Sequence, residues 1–366
     1  MSGRPLLQQL DRTYVLFKGA RLSYFSGCDY YRLSSNPLVV EAVKQGLDRF
    51  GVTAGASRIT TGNHPLYKKL EAALADHFGV ESAVLISNGY AANIAAAQAL
   101  QGEFTHCLID SRAHASLQDA SGFLKTPSVS FAHRSSSDLA KNVRTLGRNA
   151  RVLLLTDGMF AHDGSTAPLA NYRKALPPGF WILVDDAHAA GVLGPNGRGT
   201  PELCGTSTKN SLQTITLSKA FGSFGGAILC TRDFTQRIWS RSALFQASTP
   251  PPFPAVCAAL KSIELLTTDC TFRQRLKSNK QLLANRLRKA GVKLRTNHPG
   301  PIIGFEPAST EERDMISDSL LAAGIYPPLI RYPGGPENGY FRFAISSEHT
   351  RDQILALASA LEILKG

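Results

Sequence analysis

The stretch from Thr214 to Gly226, Thr-Ile-Thr-Leu-Ser-Lys-Ala-Phe-Gly-Ser-Phe-Gly-Gly, ends an apolar run in hydroxyls and an amine, Lys219, before a glycine-rich turn. Ligands of open α/β sheets bind outside the carboxyl ends of the strands, so an amine delivered there is placed to bond a cofactor or substrate. A lysine can equally be the first solvated residue after a strand. A second run, Ile182-Leu183-Val184, ends in Asp185 and Asp186, with His188 three residues after the first acid. One carboxylate at a strand end could cap a helix. Two acids and an imidazole ask for more, and metal ligation would need a third converging ligand that the sequence does not supply. Together with Lys219 the set suits pyridoxal 5'-phosphate (PLP), whose pyridine nitrogen is held protonated by an aspartate and whose aldehyde forms a Schiff base with a lysine.

Such a site needs a phosphate cradle, and Ser87-Asn88-Gly89-Tyr90 offers one where a strand closes and a helix opens. Free N–H groups at a helix N-terminus favour a phosphate, and glycine permits close approach. Asn-Gly is also an ordinary turn. Tyr90 or His114 could present an aromatic face to the cofactor ring.

The elements that must hold these residues follow from periodicity. Unbroken apolar runs at Ala83–Ile86, Cys107–Ile109, Val152–Leu155, Trp181–Val184, Leu212–Leu217 and Gly226–Cys230 predict strands buried on both faces. Leu66, Leu70, Leu74 and Phe78 at four-residue spacing, and the alanine-rich run from Ala91 to Leu100, predict intervening helices. This alternation predicts an α/β sheet covered on both sides. From about Pro254 the texture changes to two helices, Ala255–Leu266 and Phe272–Ala290, short strands at Ile302–Phe305 and Phe341–Ile345, and a last helix at Arg351–Leu364. That predicts a smaller α+β domain, and the organisation expected is an N-terminal segment 1–44, a large domain 45–268 and a small domain 269–366. Proline-rich segments at Pro250–Pro254 and Pro327–Pro336 read as rigid connections.

The 366 residues carry 43% hydrophobic and 19% charged side chains, a globular balance that excludes fibrous and disordered classes. Lys plus Arg number 40 against 28 Asp plus Glu, a net charge of +12 that makes anionic partners plausible. Nucleic acid is not expected, since no basic recognition motif accompanies the charge. Cys28, Cys107, Cys204, Cys230, Cys257 and Cys270 show neither paired nor zinc spacing, which fits a reducing compartment. Arg4, Asp11 and Arg12 interrupt any leader-like run, and no stretch approaches the roughly 18 apolar residues of a membrane span, so a cytoplasmic protein without a membrane partner is expected.

Six blocks, in one order, then resemble a known family: Gly55-Ala-Ser-Arg-Ile-Thr-Thr-Gly-Asn-His64, Asn88-Gly-Tyr-Ala-Ala-Asn93, Asp110-Ser-Arg-Ala-His-Ala-Ser116, Asp163-Gly164 before Ala167-Pro-Leu169, Val184-Asp-Asp-Ala-His188, and the Lys219 segment. The chain resembles the α-oxoamine synthases from about Phe25 to its C-terminus. The resemblance implies a fold type I PLP-dependent transferase, with a large, mostly parallel seven-stranded sheet domain and a smaller α+β C-terminal domain. It implies that Lys219 bonds the cofactor and shuttles the Cα proton, that Asp185 pairs with the pyridine nitrogen, that His188 bonds the ring hydroxyl and that His114 stacks on the ring. Thr216, Ser218 and the backbone of Asn88, Gly89 and Tyr90 would hold the phosphate. Ser248-Thr249 match a pair that reaches it from a neighbouring subunit, which implies a homodimer with a shared active site. Arg342 would grip the amino-acid carboxylate.

The implied reaction is a decarboxylating condensation of an amino acid with an acyl thioester, carried by coenzyme A or by an acyl carrier protein. Members serving biotin synthesis resemble the chain most, which implies L-alanine and a pimeloyl thioester. A member condensing glycine with an acetyl thioester, a fold type I aminotransferase or side-chain lyase, and a non-catalytic partner subunit are the alternatives, the last disfavoured by Lys219. Three positions depart from the biotin-pathway pattern: Cys28 stands for an asparagine, Ala161 for a serine and Tyr326 for an arginine.

Overall fold

The computed structural model describes residues 5–147, 149–294, 297–331 and 335–364; Arg4 and residues 332–334 of the proline-rich segment lie outside the described residues. In chain order the strands are β1 (Gln8–Gln9), β2 (Tyr14–Phe17), β3 (Ala20–Ser23), β4 (Ser82–Ile86), β5 (His106–Asp110), β6 (Ser128–Phe131), β7 (Val152–Asp157), β8 (Trp181–Asp185), β9 (Ser211–Thr216), β10 (Gly226–Cys230), β11 (Ile302–Phe305), β12 (Leu329–Ile330) and β13 (Tyr340–Ala344). The α-helices are α1 (Pro37–Phe50), α2 (Pro65–Phe78), α3 (Gly89–Ala99), α4 (Ala115–Phe123), α5 (Ser136–Arg144), α6 (Leu169–Ala175), α7 (Thr200–Leu203), α8 (Arg232–Arg241), α9 (Ala243–Ala247), α10 (Phe253–Thr268), α11 (Thr271–Lys289), α12 (Thr310–Ala322) and α13 (Arg351–Ala360). The chain divides into two compact units. One comprises Asn36–Phe160 and Thr166–Thr268; the other comprises Met1–Ser35, Ala161–Ser165 and Asp269–Gly366.

The first unit is built on a seven-stranded sheet in the order β4-β10-β9-β8-β7-β5-β6, in which only β10 runs antiparallel to its neighbours. The unbroken apolar runs exist because both faces are covered. Cys107, Ile109, Leu153, Leu155 and Leu183 join the core made with α3 and α4, while Leu108, Val152, Leu154, Ile182 and Val184 join a separate core with α5 and α6. The six apolar runs fall on six of these strands. The seventh, β6, is an edge strand whose Ser-Val-Ser is exposed, so it leaves no apolar run to read.

The block Gly55–His64 is held by one buried cation. Arg58 pairs with Glu71 of α2, with a second bond at 3.0 Å, and donates to Asn63 at 3.1 and 3.2 Å. Glu71 in turn accepts the Leu85 N–H of β4 at 2.9 Å, so loop, helix and sheet share a single ion pair. Removing either partner would strand a buried charge.

The second unit contains two antiparallel sheets, β1-β2-β3 and β11-β13-β12. The first was not expected from periodicity, because its strands are only two to four residues long. Helix α10 begins at Phe253 and so takes in Pro254, which the sequence reading placed in a rigid connection; proline is tolerated in a first turn. The last helix ends at Ala360 and tightens into a 3₁₀ turn over Leu361–Leu364. All six cysteines are free thiols. No helix among the described residues is long and apolar enough to cross a membrane.

His349 ties this unit together. Its Nδ1 accepts the Ser346 N–H at 3.0 Å, its Nε2 meets the Tyr24 carbonyl at 3.0 Å, and its ring stacks on Phe25 at 4.0 Å. Because Nδ1 accepts, the proton sits on Nε2 and the ring is neutral. Burial, with the Arg32 guanidinium nearby, pushes its pKa down to about 3. The folded value lies below that of an unfolded histidine, so the unfolded chain takes up a proton that the folded chain refuses. Stability is therefore lost as the pH falls through about 6.5 toward 3. From this group alone the protein is expected to be about 2 kcal/mol less stable at pH 5 than at pH 8. Urea unfolding at both pH values checks this, and His349→Gln should remove that increment; an unchanged pH dependence in the variant would refute it.

Candidate active site

The register of the parallel strands brings the site together. Asp157 of β7 pairs with Asp185 of β8, which pairs with Thr214 of β9, so three strand ends lie side by side at the carboxyl edge of the sheet. A cavity of about 390 Å³ opens there, lined by Asn88, Gly89 and Tyr90, by His114 and Ser116, by Asp157, Asp185 and His188, and by Thr216, Ser218 and Lys219. Of the site residues read from the sequence, nine converge here, all within the first unit.

At one end the N-terminus of α3 makes a cradle. The Asn88 side chain caps the helix by accepting the Ala91 N–H at 2.8 Å, which leaves earlier N–H groups of the first turn free to face an anion. Two glycines bring the backbones close. A Cβ on Gly226 would sit 2.4 Å from the Asn88 carbonyl, and one on Gly89 would sit 2.8 Å from Cβ of Thr216. The Thr216 hydroxyl stands 2.7 Å from that of Ser218, so two neutral hydroxyls flank the cradle. A helix N-terminus with convergent hydroxyls suits a phosphate.

At the other end stands Asp185, whose buried carboxylate accepts the Asn93 amide at 2.6 Å and the Ala187 N–H at 3.1 Å. Lys219, half-buried in the turn after β9, lines the same cavity. His114 caps α4 through Nδ1, and burial lowers its pKa despite the charge of Asp185. The Tyr90 ring meets it edge-on at 6.2 Å while the Tyr90 hydroxyl donates to Asp119. Phosphate cradle, carboxylate and amine in one cavity match the chemistry of PLP, so the residues present fit that cofactor.

The two acids that end β8 part company. Asp185 faces the cavity; Asp186 is buried on the other side, where its Oδ2 accepts the Thr200 N–H at 2.8 Å and the Gln213 amide at 2.7 Å. It holds the loop that enters α7, and burial pushes its pKa up to about 6. Sequence reasoning assigned no role to Asn93, Ser116, Asp157 or Thr214. Asp157 could have been found, since Val152–Thr156 is another buried run that ends in an acid. Its carboxylate accepts the His114 N–H at 2.8 Å, and burial beside Asp185 holds its pKa well above the usual carboxylate range.

Thr249 is exposed in the turn between α9 and α10 and is not among the residues lining this cavity. Arg342 belongs to the second unit, at the centre of β13 opposite Gly304. The three departing residues, Cys28, Ala161 and Tyr326, also belong to the second unit. Tyr326 packs edge-on against Phe17 at 5.3 Å and lies 6.3 Å from Tyr24.

Comparison with known proteins agrees with this chemistry. The model of the family "Aminotransferase class I and II" matches residues 25–361. An 8-amino-7-oxononanoate synthase from Trichlorobacter lovleyi is 32% identical over 97% of this chain and 92% of its own length. One from Stutzerimonas stutzeri is 35% identical over 98% and 91%. Among solved structures, the serine palmitoyltransferase (SPT) of Sphingomonas wittichii superposes with a TM-score of 0.91 at 28% identity, covering 98% of this chain and 91% of that one. A structure of SPT with PLP as an internal aldimine gives the same TM-score of 0.91, at 28% identity over 99% and 92%.

Proposed function

The chain belongs to the aminotransferase class I and II family, as a PLP-dependent acyltransferase of the α-oxoamine synthase type, and from that premise we propose that it is an 8-amino-7-oxononanoate synthase acting in biotin synthesis. It would join L-alanine to a pimeloyl thioester, forming one C–C bond and releasing carbon dioxide and the free thiol. The observation that carries this reading is the convergence of Lys219, Asp185 and the α3 cradle on one cavity. Relatives of nearly the same length and that name support the substrate assignment.

PLP, when bound, supplies an electron sink for the carbanion left by loss of a Cα proton. The chain's residues do the rest. Lys219 would hold the cofactor covalently, and its amine would serve as the base at the substrate Cα. Asp185 would serve the pyridine nitrogen, His188 the ring hydroxyl and His114 one face of the ring. Asn88, Gly89, Tyr90, Thr216 and Ser218 would hold the phosphate. Arg342 takes the substrate carboxylate through its planar fork. Thr249 serves the phosphate of a second protomer, which makes the working form a homodimer. The excess of basic residues suits an anionic acyl donor, either coenzyme A or an acidic carrier protein, in the cytoplasm.

Tyr326 favours a second reading within the same class. Its ring joins Phe17 and Tyr24 where biotin-pathway members carry an arginine, so an acyl chain without a terminal carboxylate is the alternative donor. The PLP-loaded protein should release thiol from pimeloyl-CoA or pimeloyl carrier protein only when L-alanine is present, with carbon dioxide in equal amount. Release confined to palmitoyl or acetyl thioesters with serine or glycine would move the assignment to a serine palmitoyltransferase or glycine C-acetyltransferase. Amino transfer to an oxo acid without thiol release would overturn the synthase reading.

A further inference from the structure

The buried residues of helix α3 are alanines with a single polar exception. Asn93 is fully buried, and both ends of its amide are used. Its Oδ1 accepts the Thr214 hydroxyl at 2.6 Å; its Nδ2 donates to Asp185 Oδ2 at 2.6 Å and to Ser116 Oγ at 2.9 Å. The amide cannot be turned over, because that would set its oxygen against a carboxylate oxygen at the same separation. Ser116 Oγ, having accepted from Asn93, lies 2.7 Å from His114 Nδ1, which also accepts the Ser116 N–H at 3.2 Å. Nδ1 is therefore unprotonated and the imidazole carries its own proton on Nε2; the Ser116 hydroxyl has Nδ1 as its near acceptor and Asp185 Oδ2, at 3.4 Å, as a longer one.

The hydrogen bonds run in one direction, from Thr214 through Asn93, where they branch to Asp185 and, by way of Ser116, to His114. We propose that Asn93 is a positioning residue that fixes the Asp185 carboxylate and the His114 tautomer together, coupling the group that faces the cofactor nitrogen to the ring that covers its face. It touches neither substrate nor cofactor and acts through those two residues. The Nδ2 donor fixes the orientation of the Asp185 carboxylate by its bond to Oδ2. This rests on the assignment of Asp185 to the cofactor nitrogen.

The test is titration of the cofactor-free protein with PLP, followed by its visible absorbance across a range of pH, for Asn93→Ser, Thr214→Val, Asp185→Asn and the Asn93→Ser/Asp185→Asn double variant. Asn93→Ser should weaken PLP binding by about 10- to 100-fold, the scale of a lost bond to a charged group. It should also move the pH at which the bound-cofactor spectrum changes, and leave KM for the amino acid within about threefold while kcat falls. Thr214→Val keeps the side-chain shape and should move both readouts the same way by less, so it decides the question if Asn93→Ser does not fold. In the Asp185→Asn background the Asn93 effect on affinity should shrink to a few-fold. Undiminished loss there, or affinity and spectrum unchanged in Asn93→Ser or Thr214→Val, would overturn the proposal. If Asp185→Asn itself binds PLP as tightly as the parent, the assignment of Asp185 has failed instead.

Discussion

Lys219→Ala is expected to lose the visible absorbance of lysine-bound PLP and to slow thiol release by at least about 10⁴-fold, because one amine serves as both covalent tether and proton acceptor. Among the described residues no other amine lines the cavity: its other nitrogen bases are the imidazoles of His114 and His188, which cannot form a Schiff base. The turn itself should survive, since its shape rests on backbone bonds: Gly222 N–H to the Lys219 carbonyl at 2.9 Å and Ser223 N–H to Leu217 at 2.8 Å. The variant should therefore fold and bind PLP without the covalent link. Absorbance, together with mass after borohydride reduction, reads the tether, and thiol release reads the activity. Retention of a reducible adduct would point to a different lysine.

Asp185→Asn is expected to cost about 10³-fold in kcat and to weaken PLP binding, the range seen when a preorganised electrostatic partner is removed. An amide has nearly the same shape but no charge with which to hold a proton on a pyridine nitrogen. Asp157, the register partner of Asp185 on β7, does not take over. Its carboxylate accepts the His114 backbone N–H, and burial beside Asp185 opposes a second negative charge there. Steady-state kinetics and PLP titration check this; a loss below about tenfold in both would remove Asp185 from its assigned place.

The parts of the site that lie at strand ends were legible in the sequence, because a buried run that stops at a charged residue marks both the strand and its terminus. Lys219 and Asp185 are legible that way, and Asn88 from the Asn-Gly pair where a strand closes and a helix opens. Asp186 could not be told from Asp185, since adjacent residues leave a strand on opposite faces and only the packed fold says which face holds the cavity. Asn93, Ser116 and Thr214 escaped because their significance lies in contacts between residues 23 to 121 positions apart in the chain. The edge strand β6 and the N-terminal sheet escaped for other reasons: β6 is mostly exposed, and the strands of the sheet are two to four residues long, too short for a pattern. The departures Cys28, Ala161 and Tyr326 were visible as residue types, but their common membership of the unit that does not carry the cofactor cavity was not.

The reversed direction of β10 has a bearing on motion. Lys219 lies in a short connection between antiparallel neighbours, closed by a Leu217 N–H to Gly225 carbonyl bond at 2.9 Å, where a parallel crossover would have left a long excursion. Both ends of that connection are clamped into the sheet within a few residues. The freedom needed to release the cofactor and then reach for a proton must reside in the butyl arm of the lysine, whose rotamers exchange on the picosecond to nanosecond scale. The backbone beneath it can stay still through the whole catalytic cycle.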